Sequence, residues 1–175
     1  MARKVEVTPY NHQWKDQFFH EKQRLDRVFH GSYAVVHHIG STSVEGLAAK
    51  PIIDFLIVVQ DINIADERTS ELEDLGYIAK GENGIPNRRY FFLENENGER
   101  LYHVHVFPSG SEEIERHLVF RDYLRTFKDE AEKYGRLKSG LAAKHPEDID
   151  AYIEGKNSFV QEMERKAMDW GRKHD

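Results

Sequence analysis

"HHIGSTSVEGLAAKPIIDFLIVV", residues 37–59, holds a glycine-serine turn followed by a strand that carries one acid, Asp54. Peptide N–H groups at a turn running into a helix point outward and attract anions, and a small residue there lets a phosphate approach closely. Gly40, Ser41, Thr42 and Ser43 have the required size, and their hydroxyls add donors. "PIIDFLIVV" is almost continuously apolar, the pattern of a central strand buried on both faces. Alternate residues of an extended strand share a side, so Lys50, Asp54 and Leu56 are expected to lie together. Lys50 is then placed to neutralise phosphate, and Asp54 to hold a divalent cation. The competing reading is an ordinary polar loop with an acid that caps a neighbouring segment.

Working outward, "VEVTPY" reads as an extended lead-in, and Asn11 as the N-cap of a helix over roughly 12–30 with Trp14, Phe18, Leu25 and Phe29 near helical spacing. "YAVVHHIG" reads as a strand ending at the Gly40 turn. A polar helix holding Leu72 and Leu75 follows the Asp54 strand and stops at Gly76. "YFFLENENGERLYHVHVF" reads as a β-hairpin turning at Asn97-Gly98. The remainder is helical: a capping box of Ser109 and Glu112 opens one helix, Asp129 and Glu132 a second that reaches the His145-Pro146 break, and Pro146 a third towards Trp170. Strands preceded, separated and followed by helices predict an α/β or α+β fold, a mixed β-sheet flanked by helices with a helical C-terminal third.

The length of 175 residues suits a single domain over 1–175. A net charge of −6 lacks the basic footprint of a general nucleic-acid binder. The absence of cysteine excludes disulfides, thiolate metal sites and cysteine nucleophiles. "MARKVEVTPYNHQW" has no apolar core of a signal peptide and "FLIVV" is far short of a membrane span, so a cytoplasmic protein with no membrane partner is expected.

His103 and His105 stand two apart on one strand and therefore share a face. A two-residue turn at Asn97-Gly98 pairs Phe92 with His103, Tyr90 with His105 and Arg88 with Phe107, which brings Arg88, Tyr90 and both histidines to one surface. A slip by one residue would put Arg89 in place of Arg88. The alternative for "HVHVF" is the polar face of a half-exposed strand. His38, next to the turn, is expected to make a structural hydrogen bond.

Later in the chain, His117, Arg121, Arg125 and Lys128 fall on one side of a helix, with Arg121 the candidate ligand contact and a solvated face the alternative. Lys156 sits within an apolar stripe of Ile149, Tyr152, Ile153, Val160, Met163, Ala167 and Trp170. A lysine there breaks the binary pattern, and such breaks gather at functional sites. Its ammonium must reach an acid, a ligand phosphate or solvent, or snorkel to the surface. Gly155 beside it is expected to admit the close approach of another backbone or a ligand.

"HHIGSTSVEGLAAKPIID", "IPNRRYFF", "HVHVF", "HLVFRDYLR" and "YIEGKNSFV" resemble the GrpB-like family, and the first of them resembles the glycine-serine and acid-bearing strand of the nucleotidyltransferase fold. The resemblance implies a nucleotidyltransferase-type core, and fusion of some relatives to dephospho-coenzyme A kinase implies a nucleotide-linked or helper role. Working nucleotidyltransferases resembling this chain carry a second acid two positions along the strand, where Leu56 stands here, and a third on a later strand, for catalysis with two metals. The strand of His103 and His105 corresponds to that later strand, so the resemblance implies a set of two histidines and Asp54 holding Mg²⁺, Mn²⁺ or Zn²⁺, the imidazoles favouring the latter two.

Two readings follow. In the first, a nucleotide or phosphorylated metabolite binds in a cleft formed by the turn, Asp54 and the histidine strand. Gly40, Ser41 and Ser43 cradle phosphate, Lys50, Arg88, Arg121 and Lys156 offset charge, and Asp54 with His103 and His105 holds a metal for nucleotidyl or phosphoryl transfer. In the second, the incomplete acidic triad marks a catalytically inactive module with a regulatory or partner role, for example linked to coenzyme A metabolism.

Overall fold

Five strands, β1 (Val35–Ile39), β2 (Ile53–Val59), β3 (Ile78–Ala79), β4 (Arg89–Glu94) and β5 (Arg100–Pro108), form one sheet in the order β1-β2-β5-β4-β3. β2 pairs antiparallel with β1 and parallel with β5, and β4 pairs antiparallel with β5 and β3, so the sheet is mixed. β2 is central, as its apolar run requires, and Phe55, Leu56 and Ile57 are fully buried. The helices are α1 (Gln13–Val28), α2 (Asn63–Asp74), α3 (Glu112–Thr126), α4 (Lys128–Lys144) and α5 (Ile149–Lys173). This computed structural model describes residues 4–173. The described residues divide into a sheet unit, 13–39 with 52–115, and a helical unit, 4–12, 40–51 and 116–173.

In the sheet unit, α1 buries Trp14, Phe18, Glu21, Leu25 and Val28, a spacing that keeps one side of a helix inward. Phe18 stacks on Phe55 and on His38 at 5.2 and 4.5 Å between ring centroids, so His38 is a packed ring of the sheet. Glu21 is a buried acid that sequence reading missed; Tyr77 donates to it at 2.5 Å and Arg24 pairs with it at 3.1 Å. Burial pushes its carboxyl up, against the lowering effects of Tyr77 and Arg24. α2 ends as expected: Gly76 takes φ 103° and donates to the Glu73 carbonyl at 2.9 Å.

The hairpin has the expected register over most of its length, with Phe92 opposite His103 and Tyr90 opposite His105. Its turn differs. Asn95 and Glu99 close the loop, and Gly98 alone of its central residues has a positive φ, 78°. That makes a three-residue loop, 96–98, rather than a two-residue one. A bulge between Leu93 and Glu94 absorbs the one-residue difference and restores the expected pairing beyond it.

In the helical unit, α4 and α5 pack together. Val44, Leu47, Tyr123, Leu124, Ala131, Tyr134, Met163 and Ala167 form its core. At Gly155 the close neighbour is a side chain rather than the expected backbone or ligand: a Cβ there would stand 2.6 Å from Leu141 Cδ2. Ile153, expected in the inward stripe of α5, is instead 46% exposed. The cap of α3 is Ser111, whose Oγ accepts from the Glu113 N–H at 3.3 Å, rather than Ser109.

Candidate functional site

In the sheet unit, strand alternation decides what meets. Asp54 lies opposite His103 and Leu56 opposite His105 across the parallel β2–β5 ladder. Asp54, His103, His105 and Tyr90 therefore share the sheet face opposite that of Phe55, against which α1 packs. Asp54 Oδ1 lies 3.4 Å from His103 Nδ1 and 3.4 Å from His105 Nε2. The Tyr90 ring lies 5.7 and 5.3 Å from the two imidazole centroids. Arg88 reaches His105 Nδ1 at 3.2 Å, and Arg100 reaches His103 Nε2 at 3.3 Å. Arg88 is the arginine of this face, while Arg89 points to the other and grips Asp66 of α2 at 2.7 and 3.2 Å. Burial pushes the Asp54 carboxyl up, but the hydrogen bonds from His103 and His105 outweigh it and hold the group below the usual carboxylate range.

This donor set does not fit a metal. A guanidinium only donates, so the histidine nitrogens turned to Arg88 and Arg100 must accept, and the ring protons then lie on the nitrogens turned to Asp54. A metal needs lone pairs at those atoms. Among the described residues no group of three or more His, Cys, Asp or Glu side chains is arranged to hold a metal ion.

In the helical unit, residues 41–43 form a single 3₁₀ turn after Gly40, which has φ 75°. Ser43 is used to close it: its N–H and its Oγ both donate to the Gly40 carbonyl, at 3.1 and 2.5 Å. Thr42 and Ser43 are buried, whereas Gly40 and Ser41 are half-exposed. Ser43 therefore shapes the turn, its hydroxyl donated to the Gly40 carbonyl. Lys138 of α4, 2% exposed, donates from Nζ to Ser41 Oγ at 2.7 Å and lies 4.4 Å from the Tyr134 ring centroid. Arg125 donates from Nε to the Ser43 carbonyl at 2.9 Å. Burial lowers the Arg125 pKa, the neighbouring Arg121 charge adds to this and Asp122 opposes it. Arg121, the expected ligand contact, pairs with adjacent Asp122 at 2.9 Å. Lys50 lies outside β2, so the shared strand side expected for Lys50 and Asp54 does not form; Pro51 precedes the strand. Lys50 and Lys156 each bring Nζ to 5.2 Å from the ring centroid of the fully buried Tyr152.

Sequence reading does not single out Lys138, Arg125 or Arg100. Lys138 breaks the inward stripe of Ala131, Tyr134 and Gly135 on α4, the same signal that marked Lys156 on α5. Arg125 stands in the basic stripe of α3, where nothing in the sequence separates it from Arg121. Arg100 had no signal short of the bulge that sets its place.

The GrpB protein family model matches residues 4–166. The UPF0157 protein YqkA of Bacillus subtilis (strain 168) is 46% identical over 168 residues, 96% of this chain, which spans about half of YqkA's length at 48%. A dephospho-CoA kinase of Mycolicibacterium paratuberculosis is 27% identical, over 95% of this chain and 46% of its own. Among solved structures, conserved protein GrpB from Enterococcus faecalis is 42% identical with a TM-score of 0.88, covering 94% of this chain and 98% of that one. The Cid1 poly(U) polymerase is 19% identical with a TM-score of 0.54, covering 79% of this chain and 45% of that one, a likeness of fold alone. No helix among the described residues is long and apolar enough to cross a membrane. The chain belongs to the GrpB family, on an α/β fold with a mixed sheet like that of nucleotidyltransferases.

Proposed function

We propose that this protein binds a nucleotide or another phosphorylated metabolite at the Gly40–Ser41 edge of the 3₁₀ turn. The observation that carries the reading is the buried Lys138, whose ammonium is fixed against Ser41 and so brings positive charge to a turn small enough to admit phosphate. A serine hydroxyl that accepts from lysine keeps its own proton for a second acceptor, here a phosphate oxygen. Lys156 and Lys50 add positive charge within the same unit. The dephospho-CoA kinase relative supports a ligand of coenzyme A or nucleotide type. Isothermal titration and thermal melts with ATP, GTP, UTP, dephospho-coenzyme A and pyrophosphate test this. Lys138→Met and Lys156→Met are each expected to weaken binding by about 1–3 kcal/mol, the scale of a charge-assisted hydrogen bond. No shift of the wild type by any of these ligands, or unchanged affinities in both variants, overturns it.

Leu56 favours binding without transfer chemistry. It is fully buried and apolar where a second acid would be needed, and Asp54 is engaged by two imidazoles. The protein then acts as a ligand-sensing or partner module. The transferase reading predicts turnover of a nucleoside triphosphate that Asp54→Asn abolishes, which a product assay on the wild type and that variant reports.

A further inference from the structure

The atoms facing Asp54 are the ones a metal would need, and the arginines behind the rings decide whether they can serve. A guanidinium only donates, so His105 Nδ1 accepts from Arg88 Nη1 and His103 Nε2 accepts from Arg100 Nη1, which leaves the nitrogen 3.4 Å from Asp54 Oδ1 as the one to carry a ring proton. At a metal centre the outer ring nitrogen ordinarily donates to a carboxylate or carbonyl, which leaves the inner lone pair for the metal. Here the outer partners are cations, and the polarity is reversed.

Both cations are held in place. Arg88 is 7% exposed and donates from Nε to the Glu82 carbonyl at 3.2 Å and from Nη2 to the Asn83 carbonyl at 2.9 Å. Asn83 and Asn87 adopt left-handed backbone, φ 48° and 64°, in the loop that carries those carbonyls. Arg100 pairs with Glu94 at 3.2 Å, donates to Tyr90 Oη at 3.3 Å and lies 3.5 Å from the Phe92 ring centroid.

We infer that Arg88 and Arg100 are positioning residues that lock His103 and His105 in tautomers presenting N–H to Asp54, so that this cluster refuses a metal and conceals a latent zinc-type site. The inference concerns other residues than the phosphate reading, so loss of pyrophosphate binding leaves it intact, and its failure leaves that reading intact.

The test uses Zn²⁺ alone, titrated calorimetrically into the wild type, the Arg88→Met/Arg100→Met double variant, and that variant with Asp54→Asn added. The wild type is expected to show no Zn²⁺ site that depends on Asp54. The double variant should gain one, about 10–100-fold tighter than any wild-type binding, the span by which outer partners tune metal affinity. Adding Asp54→Asn should abolish it. Nitrogen-15 spectra of the wild-type imidazoles should show the Nε2–H tautomer at His105 and the Nδ1–H tautomer at His103. An Asp54-dependent Zn²⁺ site in the wild type, the opposite tautomers, or a folded double variant that gains no site overturns the inference. Should the double variant fail to fold, the wild-type tautomers decide.

Discussion

Two imidazole N–H groups meet one carboxylate oxygen at Asp54, and this sets how the residue answers acid. Its folded pKa lies below its unfolded value, so the ionised group stabilises the fold above the ordinary aspartate pKa of about 4, and this contribution is lost as pH falls below that. Asp54→Asn keeps the shape and removes the charge. It is expected to lower stability by about 1–2 kcal/mol at pH 7, the difference between charged and neutral hydrogen bonds, with the gap closing below about pH 4. Chemical denaturation of both proteins across pH 3–7 measures it; a gap that widens in acid contradicts the assignment. At this scale, what period two determines was legible. Asp54, Arg88, Tyr90, His103 and His105 share a face because strand alternation puts them there. Which ring nitrogen holds the proton was not legible, because it depends on Arg100, whose position is set by a bulge rather than by alternation.

The hairpin shows how an element can be found for a partly wrong reason. Its register came out as expected although the turn is one residue longer, since the bulge at Leu93–Glu94 compensates. The longer loop depends on Asn95, whose Oδ1 accepts the N–H groups of Asn97 and Glu99 at 2.9 and 3.0 Å. Asn95→Ala removes the one acceptor of both bonds from an exposed loop and should reduce stability by about 1 kcal/mol. Asn95→Asp should retain most of it, and equal stability of all three forms would show that the side chain does not hold the turn. Helix phase was similarly legible where apolar spacing was regular, as on α1, and less so on α5, where Ile153 faces outward. Lys50 falls outside the strand because Pro51 separates it from β2, which starts at Ile53.

Across the whole molecule, membership in the GrpB family and a nucleotidyltransferase-like fold were both legible from sequence, since the motifs that carry them span most of the chain. What the family motifs did not announce is a turn whose positive charge comes from a buried lysine almost a hundred residues away, because helix packing rather than local sequence brings Lys138 to Ser41. The net charge of −6 makes the placing of Arg125 and Lys138 against this turn informative, since the chain as a whole does not attract anions. Phosphate capture at the turn is the central claim, and amide chemical shifts read it most directly. Pyrophosphate titrated into nitrogen-15-labelled protein should move the amides of Gly40 and Ser41 saturably in the wild type, with the movement weakened in Lys138→Met. Shifts confined to surface lysines elsewhere, or a turn that stays unmoved at millimolar pyrophosphate, would contradict the account.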